Sequence, residues 1–232
     1  MSNPAIQSLA FNDTCLDYVD NVAELAARSL APDSKKLLRS SHDNFNSLIG
    51  YEQRLFEHVS RLVVVRVDLG YNKSQVPNLN HVTAEEFLEH RRRLLVAIQR
   101  HKTFEHLVGY ATKAEFGIEK GLHCHCLFFF DGSVIREDIS AGEMIGWLWA
   151  NEITQCQGVY YNCNRNPDYL HNGLGIVNYY DKEKRSGLIY AMRYMTKPDD
   201  TVRNLLGNAR IFTKGIKHAE ASSSRMGRPR SK

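Results

Sequence analysis

The stretch HLVGYATKAEFGIEKGLHCHCLFFFDG, His106–Gly132, decides how this chain folds. Its first ten residues, His106–Glu115, alternate well enough for a strand, Phe116–Lys120 carries a turn glycine at Gly117, and Gly121–Phe130 is a second run of strand formers. The three pieces predict a β-hairpin. Working outward, RLVVVRVDLGY (Arg61–Tyr71) is β-branched, largely apolar and carries Gly70 near its end, which predicts a buried strand. Thr83 and Glu86 form a capping-box pair that opens a helix to about His101. Ile139–Thr154 reads as a further helix, Val159–Asn162 as a short strand, and Asn164–Gly187 as polar loops with room for one more strand. After Gly187, LIYAMRYMTK reads as an amphipathic helix stopped by Pro198. Interleaved helices and strands with a hairpin predict an α+β fold: a central antiparallel β-sheet flanked by helices.

The ends differ from this body. Asp13 or Thr14 can cap a helical stretch that Ala31-Pro32 interrupts, and a second helix is expected over Phe45–His58. Residues 1–55 are therefore read as a helical N-terminal appendage, 56–218 as the main domain, and 219–232 as a disordered basic tail. The chain has 232 residues with 30 Lys+Arg against 26 Asp+Glu. Four of those bases, Arg225, Arg228, Arg230 and Lys232, lie in the last eight residues, and without them the charges balance at 26 each. Affinity for a polyanion must then come from local patches or from the tail. Five cysteines without CxxC spacing read as reduced thiols, and no secretory signal or apolar run long enough to span a bilayer is visible, so a cytoplasmic protein is expected.

Chemistry enters at His123 and His125. Residues i and i+2 of a strand share one face about 7 Å apart, so both imidazoles can reach one ion while Cys124 points the other way. Ten histidines in 232 residues give about 0.4 such pairs by chance, and two hydrogen-bonded core histidines would look the same. Glu115, eight residues earlier, can sit beside His123 across the hairpin and add a hard oxygen, although alone it also fits a solvated hairpin residue. Two nitrogens, one carboxylate and open positions describe a catalytic rather than a closed structural ion, with Mn²⁺ or Mg²⁺ as the candidates. Cys124, Cys126, Cys156, Cys163 and His171 could instead be gathered into a zinc site, but their spacing fits no compact finger.

Tyr190, Tyr194 and Lys197 are offset by four and three residues, which puts them on one helix stripe. Tyr179 and Lys182 form a competing pair within YYDKEKRSG, whose charge density reads as an exposed turn. A cation on the histidines, a phenol and an ammonium group are the parts needed for phosphoryl transfer to tyrosine. Tyr160, Tyr161, Phe128 and Trp149 are aromatic candidates for stacking bases, or core residues.

His-Cys-His at 123–125, Glu115 upstream, and Tyr-x3-Tyr-x2-Lys at 190–197 stand in the order found in HUH endonucleases. Together with RVDL in the first strand and GLHCHCLFFFDG, they resemble most the replication initiators of inoviruses, the filamentous phages, and of their prophage relatives. The likeness spans about Arg61 to Lys214. It implies an antiparallel sheet with the histidines on a middle strand, a divalent metal, and nicking of one DNA strand at a specific origin to start rolling-circle replication. It also implies Tyr190 and Tyr194 as nucleophiles, a 5′-phosphotyrosine intermediate, and a bacterial host supplying helicase and single-strand-binding protein. The middle residue of the triplet, bulky in that family, is Cys124 here. Asp68 is either a neighbour of the ion or a strand-end carboxylate. Arg193, Arg225, Arg228 and Arg230 are the bases expected to meet DNA. Two alternatives remain at this stage: a non-catalytic single-stranded nucleic-acid-binding module, and a plasmid mobilisation relaxase with the same chemistry.

Overall fold

Arg61–Tyr71 forms the first strand, β1, and its alternation sends Val63, Val65, Val67 and Leu69 to one face and Leu62 and Val64 to the other, all of them buried. The computed structural model describes residues 32–73, 82–169 and 172–216. In chain order the remaining strands are β2 (Leu107–Gly117), β3 (Gly121–Asp131), β4 (Gly158–Asn162), β5 (Gly175–Asn178) and β6 (Phe212–Ile216). The helices are α1 (Pro32–His58), α2 (Ala84–Arg100), α3 (Asp138–Trp147), α4 (Lys182–Met195) and α5 (Asp200–Leu206). Every pairing is antiparallel, in the order β4-β1-β3-β2-β6, with β5 sharing the β4 edge of β1. β3 is thus a middle strand, as the resemblance implies.

Each sheet face has its own core. α2 and α3 cover one with Phe87, Leu94, Ile98 and Ile145, against Cys124, Cys126, Phe128 and Phe130 of β3. Trp149, in the wider helical turn that continues α3 to Ile153, is fully buried there and donates to the Gly70 carbonyl at 2.7 Å. α1 and α4 cover the other with Leu48, Tyr51, Leu55, Leu188, Met192 and Met195, against Leu127 and Phe129. Thr83 caps α2 by accepting from the Glu86 N–H at 3.1 Å, as its capping box foretold.

Several expectations need amending. α1 starts at Pro32 rather than Phe45, and it is not peripheral to the sheet: the Tyr51 hydroxyl donates to the Gly215 carbonyl at 2.6 Å, and Glu52 receives both the Nε and an Nη of Arg185 at 2.8 Å. The Ser41 hydroxyl also donates to the Thr196 carbonyl, so α1 is bonded to α4 and to the residue that follows it. YYDKEKRSG does not stay a turn. Asp181 caps α4 by accepting from the Lys184 N–H at 3.0 Å, and the helix runs straight through Gly187. That glycine is needed because a Cβ there would stand 2.7 Å from the backbone nitrogen of Gly173. α5 and the edge strand β6 lie where no element is expected. The helical stretch from Asp13 and the tail with Arg225, Arg228 and Arg230 lie outside the described residues. No helix among the described residues is long and apolar enough to cross a membrane.

Candidate metal centre and the tyrosine helix

The hairpin joining β2 to β3 sets the site. Gly117 pairs with Gly121 across a three-residue loop, Ile118–Lys120, closed by the Lys120 N–H on the Gly117 carbonyl at 3.1 Å. Gly121 takes φ of +64°, a left-handed value that glycine adopts without Cβ strain. This register places Glu115 opposite His123 and Lys113 opposite His125, while on the other flank of β3 Asp68 of β1 faces His125. Directly opposed residues share a sheet face. All five side chains therefore project on the α1/α4 side, at the end of the sheet beyond the apolar patch of Leu127 and Phe129.

Both imidazoles are locked in one orientation. His123 donates from Nδ1 to the Gly121 carbonyl at 3.0 Å, and His125 donates from Nδ1 to Oδ1 of Asp68 at 2.7 Å. Their Nε2 atoms converge on Oε2 of Glu115, at 3.7 Å from His123 and 3.1 Å from His125. Glu115, His123 and His125 each offer one ligand atom, and these atoms lie within 4.8 Å of one another. A metal-ligating histidine ordinarily spends its second nitrogen on a carboxylate or a carbonyl, and both kinds of support are present here. The donor set fits a divalent cation with open positions.

Without an ion, a proton and neighbouring cations neutralise these carboxylates. Burial disfavours ionisation of Glu115, but the adjacent His123 ring and the hydrogen bonds from His125 and Lys113 outweigh it and hold its carboxyl far below the usual range. Burial would lower the His125 pKa; its bonds to Asp68 and Glu115 reverse the effect and raise it to about 9. With carboxylates on both ring nitrogens, His125 is an imidazolium in the ion-free protein. The Asp68 carboxyl is lowered despite burial, by His125 and by Arg66, whose Nε lies 3.2 Å from Oδ1. Lys113, 3% exposed, binds Oε1 of Glu115 at 2.5 Å.

The tyrosine helix meets this cluster from a distant part of the sequence. The Tyr194 ring centre lies 5.6 Å from that of His125, the Arg66 guanidinium carbon 5.0 Å from the Tyr194 ring centre, and the Lys197 ammonium 4.4 Å from it. Burial raises the Tyr194 pKa, and the Glu115 and Asp68 carboxylates add to the shift while Arg66 opposes it. Tyr190, one turn earlier, is exposed. Arg193 turns elsewhere, with its guanidinium 5.8 Å from the Phe45 ring centre on α1. The competing pair, Tyr179 and Lys182, is at the wrong end of β1. The Tyr179 N–H bonds the Ser60 carbonyl at 3.0 Å, roughly 26 Å along an extended strand from Asp68.

Of the four stacking candidates, Phe128 and Trp149 are fully buried, and the Tyr160 hydroxyl donates to Glu143 at 2.8 Å. Tyr161 alone of the four is exposed, opposite Asp68 on the face that bears the histidines. Among the described residues the metal-capable group draws on no cysteine, and Cys124 and Cys126 face the opposite core. Sequence reasoning left Asp68 undecided and passed over Arg66 and Lys113. The available signal was that Arg66/Asp68 and Lys113/Glu115 are i, i+2 charged pairs in strands otherwise destined for the core. Comparison with protein-family models, with curated proteins and with solved structures finds no match.

Proposed function

We propose that this chain is a metal-dependent nicking and joining enzyme for single-stranded DNA, of the HUH type, which starts rolling-circle replication of a phage-like element in the bacterial cytoplasm. One observation carries the reading: the Tyr194 ring of α4, with the ammonium of Lys197 from the segment after the helix lying over it, meets a two-histidine, one-glutamate cluster formed by β2 and β3. Glu115, His123 and His125 would hold the ion, which when bound draws charge from a non-bridging phosphate oxygen. Mn²⁺ suits the two nitrogens better than Mg²⁺.

This chain's own groups do the rest. The Tyr194 oxygen bonds to phosphorus, the P–O3′ bond breaks, and the phenol proton ends on the freed 3′-hydroxyl. Arg66 and Lys197 flank the ring and offset negative charge as it develops on the phenol oxygen. Asp68 holds the His125 ring with Nε2 directed at Glu115. The phosphotyrosine conserves the energy of the broken linkage, so the strand can be resealed, and Tyr190 provides a second acceptor one turn away. Origin DNA is the substrate, with host helicase and single-strand-binding protein as partners.

The test is a covalent adduct. Wild-type protein mixed with a random-sequence pool of single-stranded oligonucleotides and Mn²⁺ should yield an SDS-resistant band that chelation abolishes and Tyr190→Phe/Tyr194→Phe lacks. An adduct that survives in the double variant, or none with the wild type, would sink the reading.

A further inference from the structure

Next to the metal centre, a cleft opens between α1, α5 and the segment that follows α4, lined among others by Ser40, Asn44, Lys113, Lys197, Asp199 and Arg203. Its charges are unbalanced. Lys113 is already committed to Glu115, and both oxygens of Asp199 accept backbone N–H groups, from Val202 at 3.0 Å and from Phe116 at 3.5 Å. Lys197 and Arg203 form no ion pair among the described residues, and the Nε of Arg203 is buried without a hydrogen-bond partner. A buried donor left unsatisfied costs about 1–3 kcal/mol, more when charged, and so calls for an acceptor the chain does not supply.

The missing acceptor is anionic. Arg203 offers a planar fork suited to paired oxygens, Lys197 a second positive charge, and Ser40 and Asn44 neutral donors on the opposite wall. Position narrows the class further: Lys113 and Lys197 line this cleft and also touch Glu115 and Tyr194. An anion in the cleft is therefore next door to the phosphate that Tyr194 would attack.

We propose that the cleft is a second phosphate site, in which Arg203 binds the strand phosphodiester neighbouring the one at the metal centre, with Lys197 between the two and α1 lining the cleft. The proposal rests on the single-strand reading above and deepens it. It gives α1 a part in substrate binding and makes Arg203 a binding residue with no role in the bond-breaking step.

The experiment measures binding of a fluorescein-labelled oligothymidylate by anisotropy across a salt series, with EDTA present so that no cleavage occurs. Each phosphate contact on a single strand contributes about 0.7 to the slope of log affinity against log salt. Arg203→Gln should flatten the slope by about 0.7 and weaken binding about tenfold at moderate salt, and Arg203→Lys should retain most of the slope. A single neutral methylphosphonate linkage, moved along the oligonucleotide, should weaken wild-type binding at one position and leave Arg203→Gln indifferent there; the wild-type arm needs no variant to fold.

An unchanged slope and affinity in Arg203→Gln, or no binding by the wild type, overturns the proposal. So does a slope that stays unchanged while titration of inorganic phosphate, watched by ³¹P NMR, shows binding that Arg203→Gln loses, because the cleft would then serve free phosphate. The two readings fail separately. A flattened slope without any Mn²⁺-dependent adduct upholds the cleft and removes the enzyme, whereas an adduct with an unchanged slope removes the cleft alone.

Discussion

Raising the pH from 7 to 9 should tighten Mn²⁺ binding about 50-fold, on the way to a plateau about 100-fold above the pH 7 value. In the ion-free protein His125 carries a proton on each ring nitrogen, with its pKa raised to about 9 by Asp68 and Glu115. An ion reaching Nε2 must displace one of them. At pH 7 that displacement lies two units below the pKa, and at about 1.36 kcal/mol per unit it costs roughly 2.7 kcal/mol of affinity. The same proton stabilises the ion-free fold in full below the ordinary histidine value of 6.5, and this contribution is lost as the pH climbs through about 9. Ion-free protein should therefore lose thermal stability over the interval in which Mn²⁺ affinity grows. Asp68→Asn adds a second arm. It removes the carboxylate that orients His125, costing about 10–100-fold in affinity at high pH, and it also lowers the His125 pKa, so the variant and wild-type curves should converge toward pH 7. Isothermal titration in buffers of different ionisation enthalpy reads both affinity and protons released, with close to one proton per ion expected at pH 7 and few above pH 9. Affinity that stays flat between pH 7 and 9, or binding without proton release at pH 7, would refute the reasoning.

Two further outcomes concern the placement of α4. Arg185→Ala strands Glu52, which is 1% exposed, without its charge partner, so urea denaturation should show a loss of about 3–5 kcal/mol. Gly187→Ala should destabilise although alanine gains up to about 1 kcal/mol of helix propensity, because the new methyl meets the backbone of Gly173 and Asn172; a raised melting temperature would contradict that contact.

The hairpin was legible because every cue in it is local: two turn glycines, alternation on both sides, and a loop short enough to fix the register that pairs Glu115 with His123. The α2 start was legible for the same reason, since Thr83 and Glu86 are three residues apart. α4 was half legible. Gly187 within it reads as the boundary before the helix unless one knows that Gly173 must approach it, and that approach exists only in the folded chain. Asp68 and Lys113 were harder still. Their i, i+2 partners Arg66 and Glu115 mark them as unusual in core strands, but that both meet His125 depends on β1 and β2 flanking β3 in a particular register, which no neighbour in sequence records. β6 escaped because Phe-Thr-Lys-Gly-Ile is a short edge strand with two large apolar residues, too few to show a period.

The bonds from α1 to α4 have a consequence for how such chains should be judged by their motifs. Ser41, Tyr51 and Glu52 precede His123, His125 and Tyr194 in the chain, yet Ser41 and Glu52 bond the segment that carries Tyr194 and Tyr51 bonds β6. A shortened protein beginning at Arg61 would contain His123, His125, Tyr190 and Tyr194 and would still lack the splint that fixes α4, and with it Tyr194, over the sheet. Possession of the signature is in this sense a parts list, and the alignment jig is an earlier helix that carries none of it.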